Sequence, residues 1–151
     1  MKRNTIWLAT CVLWLLAACN NDKKEIAQAA QGYLNATGNY LIEDAMPYAN
    51  KETREKTLPF LRDKLIPMTP QEYLDSNTPA TIELGEIVQV GDTAVVFYTK
   101  TTPIKRLESE ILVVKEDGQW LVFVPLEIPE RISTDGKNAT ATISAANSLE
   151  Q

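Results

Sequence analysis

The 151-residue sequence contains no histidine. That excludes Ser-His-Asp chemistry, imidazole metal ligands and a histidine general base. Cysteine is almost as scarce. Cys11 and Cys19 are the two present, and both lie in one N-terminal apolar stretch. Basic clusters that would track a phosphate backbone are missing, and so is a G-x-x-x-x-G-K phosphate loop, so nucleic acid is not an expected partner. No apolar run is long enough to span a bilayer. The longest, Ile6 to Ala18, rises roughly 20 Å as a helix against a hydrocarbon core of ~30 Å.

That run has the plan of an export signal. Lys2 and Arg3 supply a short positive start, and an apolar segment follows, broken by Thr10. Ordinary cleavage asks for small residues at −3 and −1, and Leu16 is bulky. Leu16-Ala17-Ala18-Cys19 instead resembles the lipobox of bacterial lipoproteins. The resemblance implies cleavage before Cys19, diacylglycerol on its thiol and a further acyl chain, palmitate for example, on its amine. Each buried CH₂ contributes about 0.8 kcal/mol, so two or three chains hold firmly where one does not. Asn20, where some lipoproteins carry an aspartate that retains them at the inner membrane, points to the outer membrane. Loss of Lys2 and Arg3 with residues 1–18 takes the net charge from −5 to −7. The processed body then holds no thiol other than Cys19, hence no disulfide, cysteine nucleophile or thiolate metal site.

Beyond a polar tether at 19–25, helical spacing comes first. Ile26, Ala30, Tyr33, Leu34 and Thr37 share a face, and Gly38 marks a stop. A second helical segment carries Tyr40, Leu41, Asp44, Ala45 and Tyr48, with Pro47 kinking or ending it. A third, from about Glu52 to Leu65, is expected to break near Thr57 or Leu58 because of Pro59. In "TPQEYL", Thr69, Pro70 and Glu72 predict a capping box that opens a short helix through Leu74.

From Ala80 the period changes to two. Residues 80–90 place Ile82, Leu84, Val88 and Val90 on one face, with Gly85 marking a bulge. Residues 93–102 are β-branched and aromatic and end before Pro103. In residues 104–115, Leu107, Ser109, Ile111 and Val113 face the core, while Arg106, Glu108 and Glu110 face water. Residues 119–126 are apolar on both faces, which predicts a well-buried strand. Turns at "GD" 91–92 and "EDG" 116–118 make this an antiparallel meander of four strands. The fold class is α+β: N-terminal helices packed on a four-stranded antiparallel sheet, a domain over 26–132. Residues 133–151 read as a disordered tail, and the "NAT" sequon at 138–140 carries little weight in a bacterial chain.

"AAQGYLNATGNYLIEDAMPYANKETRE" resembles the opening of small lipoproteins in the nuclear-transport-factor-two-like superfamily, in which a helix, a "gDy..A..y" segment and a "set.e" stretch precede the sheet. Gly38-Asn39-Tyr40, Ala45 and Tyr48 take those places. "VGDTAVVFY" and "VVKEDGQWLV" resemble the strand pairs that close such domains. The likeness spans about residues 24 to 126, and Pro47 and Pro59 depart from it. It implies a cone, in which a strongly curved sheet wraps the helices and leaves a cavity at the wide end. Ketosteroid isomerases of that superfamily transfer protons there, while other members bind ligands or pair with each other.

An enzyme would need a cavity carboxylate and a phenol to steady an oxyanion. Asp44, Tyr33 and Tyr98 are the candidates, and Trp120 is a candidate wall or core plug. Glu43 with Asp44, and Glu108 with Glu110, lack the further oxygen ligands that a cation demands. No cofactor is expected. The sequence favours a non-catalytic binding or assembly module of the cell envelope, held by lipid on Cys19. Its partner would be a small apolar ligand, an envelope protein or a second copy. An isomerase-like enzyme is the alternative.

Overall fold

The computed structural model describes residues 5–126, with side chains from residue 21 onward. Lys2, Arg3, the tail 133–151 and the sequon lie outside the described residues, as does the Cys19 side chain. The architecture is α+β, with helices N-terminal to a curved, open four-stranded antiparallel sheet in the order β1-β2-β3-β4.

Helix α1 runs Thr5–Gly38, so the expected tether at 19–25 is helical and continuous with the body. Ile26, Ala29, Ala30, Tyr33 and Leu34 fall on one buried stripe. Gly32 sits under the Tyr48 ring, which a Cβ there would strike. The helix ends in a Schellman motif: Leu41 N–H donates to Ala36 O at 2.9 Å and Tyr40 N–H to Thr37 O at 3.1 Å. Gly38 is thus the last helical residue, the stop expected there. The left-handed position that glycine usually fills is taken by Tyr40, at φ 61°. Among the described residues, no helix is long and apolar enough to cross a membrane.

Helix α2, Ile42–Ala45, passes into a 3-10 turn, Met46–Tyr48, where Pro47 supplies an early position that needs no donor. The expected break at Pro59 does not occur. Residues 51–68 stay helical by alternating π-turns (Thr53–Thr57 and Leu61–Leu65) with α-turns α3, Leu58–Phe60, and α4, Ile66–Met68. Each proline, Pro59 and Pro67, follows one π-turn. There the wider i→i+5 bonds, Leu58 N–H to Thr53 O and Ile66 N–H to Leu61 O, relax the ladder a proline would otherwise clash with. Asn50 caps this stretch. Its Oδ1 accepts from Thr53 N–H at 3.0 Å, and its own N–H donates to Val122 O at 2.9 Å. Helix α5 is Gln71–Ser76, without the expected capping box. The Thr69 hydroxyl donates back to Leu65 O at 2.8 Å, so it is spent on the preceding helix.

The strands are β1 Thr81–Val90, β2 Thr93–Thr101, β3 Arg106–Glu116 and β4 Gln119–Phe123. The β1–β2 register slips between Leu84 and Ile87, at the bulge expected for Gly85. That slip reverses the faces beyond it. Ile87 packs on the core, while Val88 and Val90, expected beside Ile82, are exposed. The β3–β4 turn places Asp117 and Gly118 at φ 51° and 79°, the two left-handed residues of a tight hairpin. β4 is an edge strand and alternates, with Trp120 and Val122 buried and Leu121 and Phe123 half-buried. The full burial expected of it is therefore absent.

Side chains hold the residues that flank the two edge strands. Asn39 brackets Ala80, accepting from its N–H at 2.8 Å and donating to its carbonyl at 3.1 Å. On the β4 side, the buried Thr53 and Thr57 hydroxyls hold Val124, with Thr57 Oγ1 donating to Val124 O at 2.6 Å. Ile26, Leu58, Val96, Val113 and Val122 are fully buried, each worth about 1.5–3 kcal/mol. Among the described residues, the core cluster runs from Ile26 to Val124.

Candidate functional site

A cavity of about 530 Å³ opens between the C-terminal end of α1, the 51–68 helix, α5 and the far ends of β2 and β3. Ile42, Leu61, Leu65, Ile66, Met68 and Leu107 make its wall apolar. Leu65 and Met68, 46% and 81% exposed, stand unburied at its rim. Such size and character suit a small-molecule site.

Polar side chains complete the wall. Tyr40, held in its left-handed backbone position, lines the cavity with Tyr73. Burial, then the neighbouring Tyr73, raises the Tyr40 phenol above its ordinary value. Asn77 is buried and satisfied, donating from Nδ2 to Tyr73 O at 2.8 Å. Lys100 and Lys105 are the charged members of the wall. Lys100 alternates with Ala94, Val96 and Tyr98 on the helix-facing side of β2, between Ile82 on β1 and Leu107 on β3. Desolvation there, and then Lys105, lowers its pKa below the usual lysine value. Lys105 is fixed by a small turn in which Thr102 N–H donates to Lys105 O at 2.8 Å and Lys105 N–H to Thr102 Oγ1 at 3.2 Å.

None of the four residues singled out from the sequence lines this cavity. Asp44 is exposed, on a shallow groove with Glu43 and Arg62. Arg62 pairs there with Glu43 and Asp63, each at 2.7 Å. Tyr33 is 4% exposed in the core, where burial and then Tyr98 push its phenol far above its ordinary value. Tyr98 is half-buried and packs against the core. Trp120 is a core plug, with Lys115 Nζ 5.5 Å from its ring centroid. Its indole N–H lies close enough to lower the Asp22 pKa but outside hydrogen-bond geometry. It is the one buried side-chain polar atom without a partner among the described residues.

One cavity lysine was legible in principle. Period-two counting along "AVVFYTK" sets Lys100 on the apolar face. Tyr73, Met68 and Lys105 carry no such local mark. Among the described residues, no three His, Cys, Asp or Glu side chains cluster closely enough to hold a metal ion. No protein-family model, curated protein or solved structure matches the chain.

Proposed function

We propose that this chain is a lipid-anchored envelope protein, a non-catalytic binding module whose cavity takes a small, largely apolar ligand. The cavity carries the reading: about 530 Å³, apolar walls, and no acidic side chain in its lining. Proton transfer of the isomerase kind asks for a carboxylate beside the substrate, and Asp44, the acid named for it, points to solvent on another groove. The anchor is Cys19, on the lipobox Leu16-Ala17-Ala18-Cys19, with the outer membrane as the destination that Asn20 favours. The nuclear-transport-factor-two-like cone remains the family reading, supported by the order of helices and meander.

Two measurements test this. Cys19→Ala should abolish acyl labelling and release the processed chain from membranes. A Cys19→Ala chain that is processed and still sediments with membranes sinks the anchor. Native mass spectrometry should find a small apolar molecule carried by the processed protein. A ligand-free protein that also refuses apolar probes sinks the binding role.

A second reading rests on the outer sheet face. The bulge turns Val88 outward in a row with Val95, Leu112 and Phe123, and Val90, 76% exposed, stands beside it. A face of this kind suits pairing with a second copy or another envelope protein.

A further inference from the structure

The helix-facing rows of the sheet are mostly apolar; Gln89 and Lys115 interrupt them at one end, where both meet Asp22 of α1, and Ser109 and Lys100 interrupt them toward the other. Counting along β2, Ala94, Val96 and Tyr98 pack inward, and the next position in that row is Lys100. Its ladder neighbours are Ile82 and Leu107, which flank the aliphatic stem, and Lys100 lines the cavity. Its Cε also lies near Gly38 at the end of α1, 3.8 Å from where a Cβ would stand. Lys105 is brought to the same wall by the closed Thr102–Lys105 turn. Two like charges thus share one apolar chamber. Among the described residues, neither ammonium has a carboxylate within ion-pair distance, and no acid lines the chamber. A desolvated cation without a counter-charge is unfavourable. Surface lysines that merely aid solubility do not occupy the inward row of a sheet.

We infer that the cavity takes an amphiphile, an apolar body ending in a single anionic head group, with the Lys100 and Lys105 ammonium groups as its counter-charges. The apolar part lies against Leu61, Ile66 and Leu107, with Leu65 and Met68 covering it at the rim. A carboxylate, phosphate or sulfonate head meets the requirement equally, because the recognition is charge beside hydrocarbon. Lysine serves such a head as a point charge and does not impose planar, bidentate geometry. Desolvation and then the Lys105 charge lower the Lys100 pKa, and an anion beside it would oppose both. This inference rests on the binding role proposed above.

A matched pair of fluorescent probes separates the two. Anilinonaphthalene sulfonate and phenylnaphthylamine share one aromatic body, and only the first is charged. They are titrated into the processed chain, residues 19–151, carrying Cys19→Ala so that no acyl chain occupies the site. The anionic probe should bind about tenfold or more tighter than the neutral one. Lys100→Met with Lys105→Met should erase that preference and leave the neutral probe bound, in a protein whose circular-dichroism melt stays cooperative. Equal affinities in the parent, or a preference that survives the double variant, overturns the anionic head group and leaves the binding role standing. Ile66→Trp, which fills the chamber, should exclude both probes. If both bind it undiminished, or if Val90→Asp on the outer face is what abolishes binding, the cavity is not the site and the binding role falls as well.

Discussion

The Asp22 carboxylate meets the Lys115 ammonium at 3.3 Å across a sequence separation of 93 residues. Gln89 Nε2 donates to the same carboxylate at 3.3 Å. The start of the body of α1 is thereby tied to β1 and β3 at once, and the nearby Trp120 indole on β4 completes the enclosure. Trp120, then Lys115 and Gln89, hold the Asp22 carboxyl below its ordinary value, against the opposing effect of desolvation. A carboxyl whose pKa is lowered by folding contributes stability that is fully present above its unfolded value and is lost as pH falls through the folded one. Asp22→Asn should therefore melt at a lower temperature near neutral pH. The gap to the parent should close as pH drops below 3.8. A gap that stays constant across that range in calorimetric scans would show that the ion pair is not its source.

Asn50 joins three elements through one side chain and one peptide group. It caps the 51–68 helix, meets Val122 on β4 and reaches Glu116 Oε2 at 3.4 Å. Asn50→Ala should lose about 1–2 kcal/mol in urea denaturation. Asn50→Asp should keep the cap but bring a second negative charge to Glu116, and so recover only part of the loss.

Tyr40 and Tyr33 should respond in opposite ways to truncation. Tyr33→Ala empties a core position and should cost about 3–5 kcal/mol. Tyr40→Gly removes a ring but relieves a left-handed tyrosine, so its unfolding free energy should move by less than about 1 kcal/mol. The same substitution should weaken probe binding, since the ring is part of the cavity wall. Equal destabilisation by both substitutions would show that Tyr40 is ordinary packing.

Lys100 gives a pH test with two opposite signs. The groups that share its chamber are the Lys105 ammonium and the Tyr40 and Tyr73 phenols. Because its folded pKa is lowered from 10.5, the native state releases this proton before the unfolded chain does. Stability of the ligand-free protein should rise as pH climbs through that interval. Affinity for the anionic probe should fall over the same interval, and affinity for the neutral probe should not. Lys100→Met should flatten both trends.

The strands were readable because a period of two survives in "TAVVFYTKT" and "RLESEILVV" whatever surrounds them, and because Asp117-Gly118 admits few backbones. The bulge at Gly85 was visible as well. Its consequence for Val88 and Val90 was not, because one inserted residue reverses every side chain after it. Pro59 misled for a different reason. Proline forbids the i→i+4 bond, and a helix that widens by one residue just before it never needs that bond. Thr69 satisfied the pattern of a cap but found an acceptor in the preceding helix. Helix ends, which hang on single hydrogen bonds, thus depended on neighbours the local sequence does not name. The cavity was hidden for a similar reason, since its wall is gathered from five separate segments. Asp44 was the natural acid to suspect on charge alone, and only the tertiary arrangement turns it away from the chamber.

Helix α1 also sets a direction. Asp22 stands three positions beyond Cys19, and Thr37 and Tyr40 at the other end of the helix frame the chamber. Sixteen residues separate Asp22 from Gly38, a rise of roughly 24 Å. Were Cys19 to carry the acyl chains proposed for it, the helical run from residue 19 would leave the body little slack with which to swing, and its opening would be carried away from the bilayer like a cup on a short rigid stem. Cargo would then arrive from, or leave toward, the aqueous compartment, by handover from a diffusing donor and not by extraction from the leaflet underfoot.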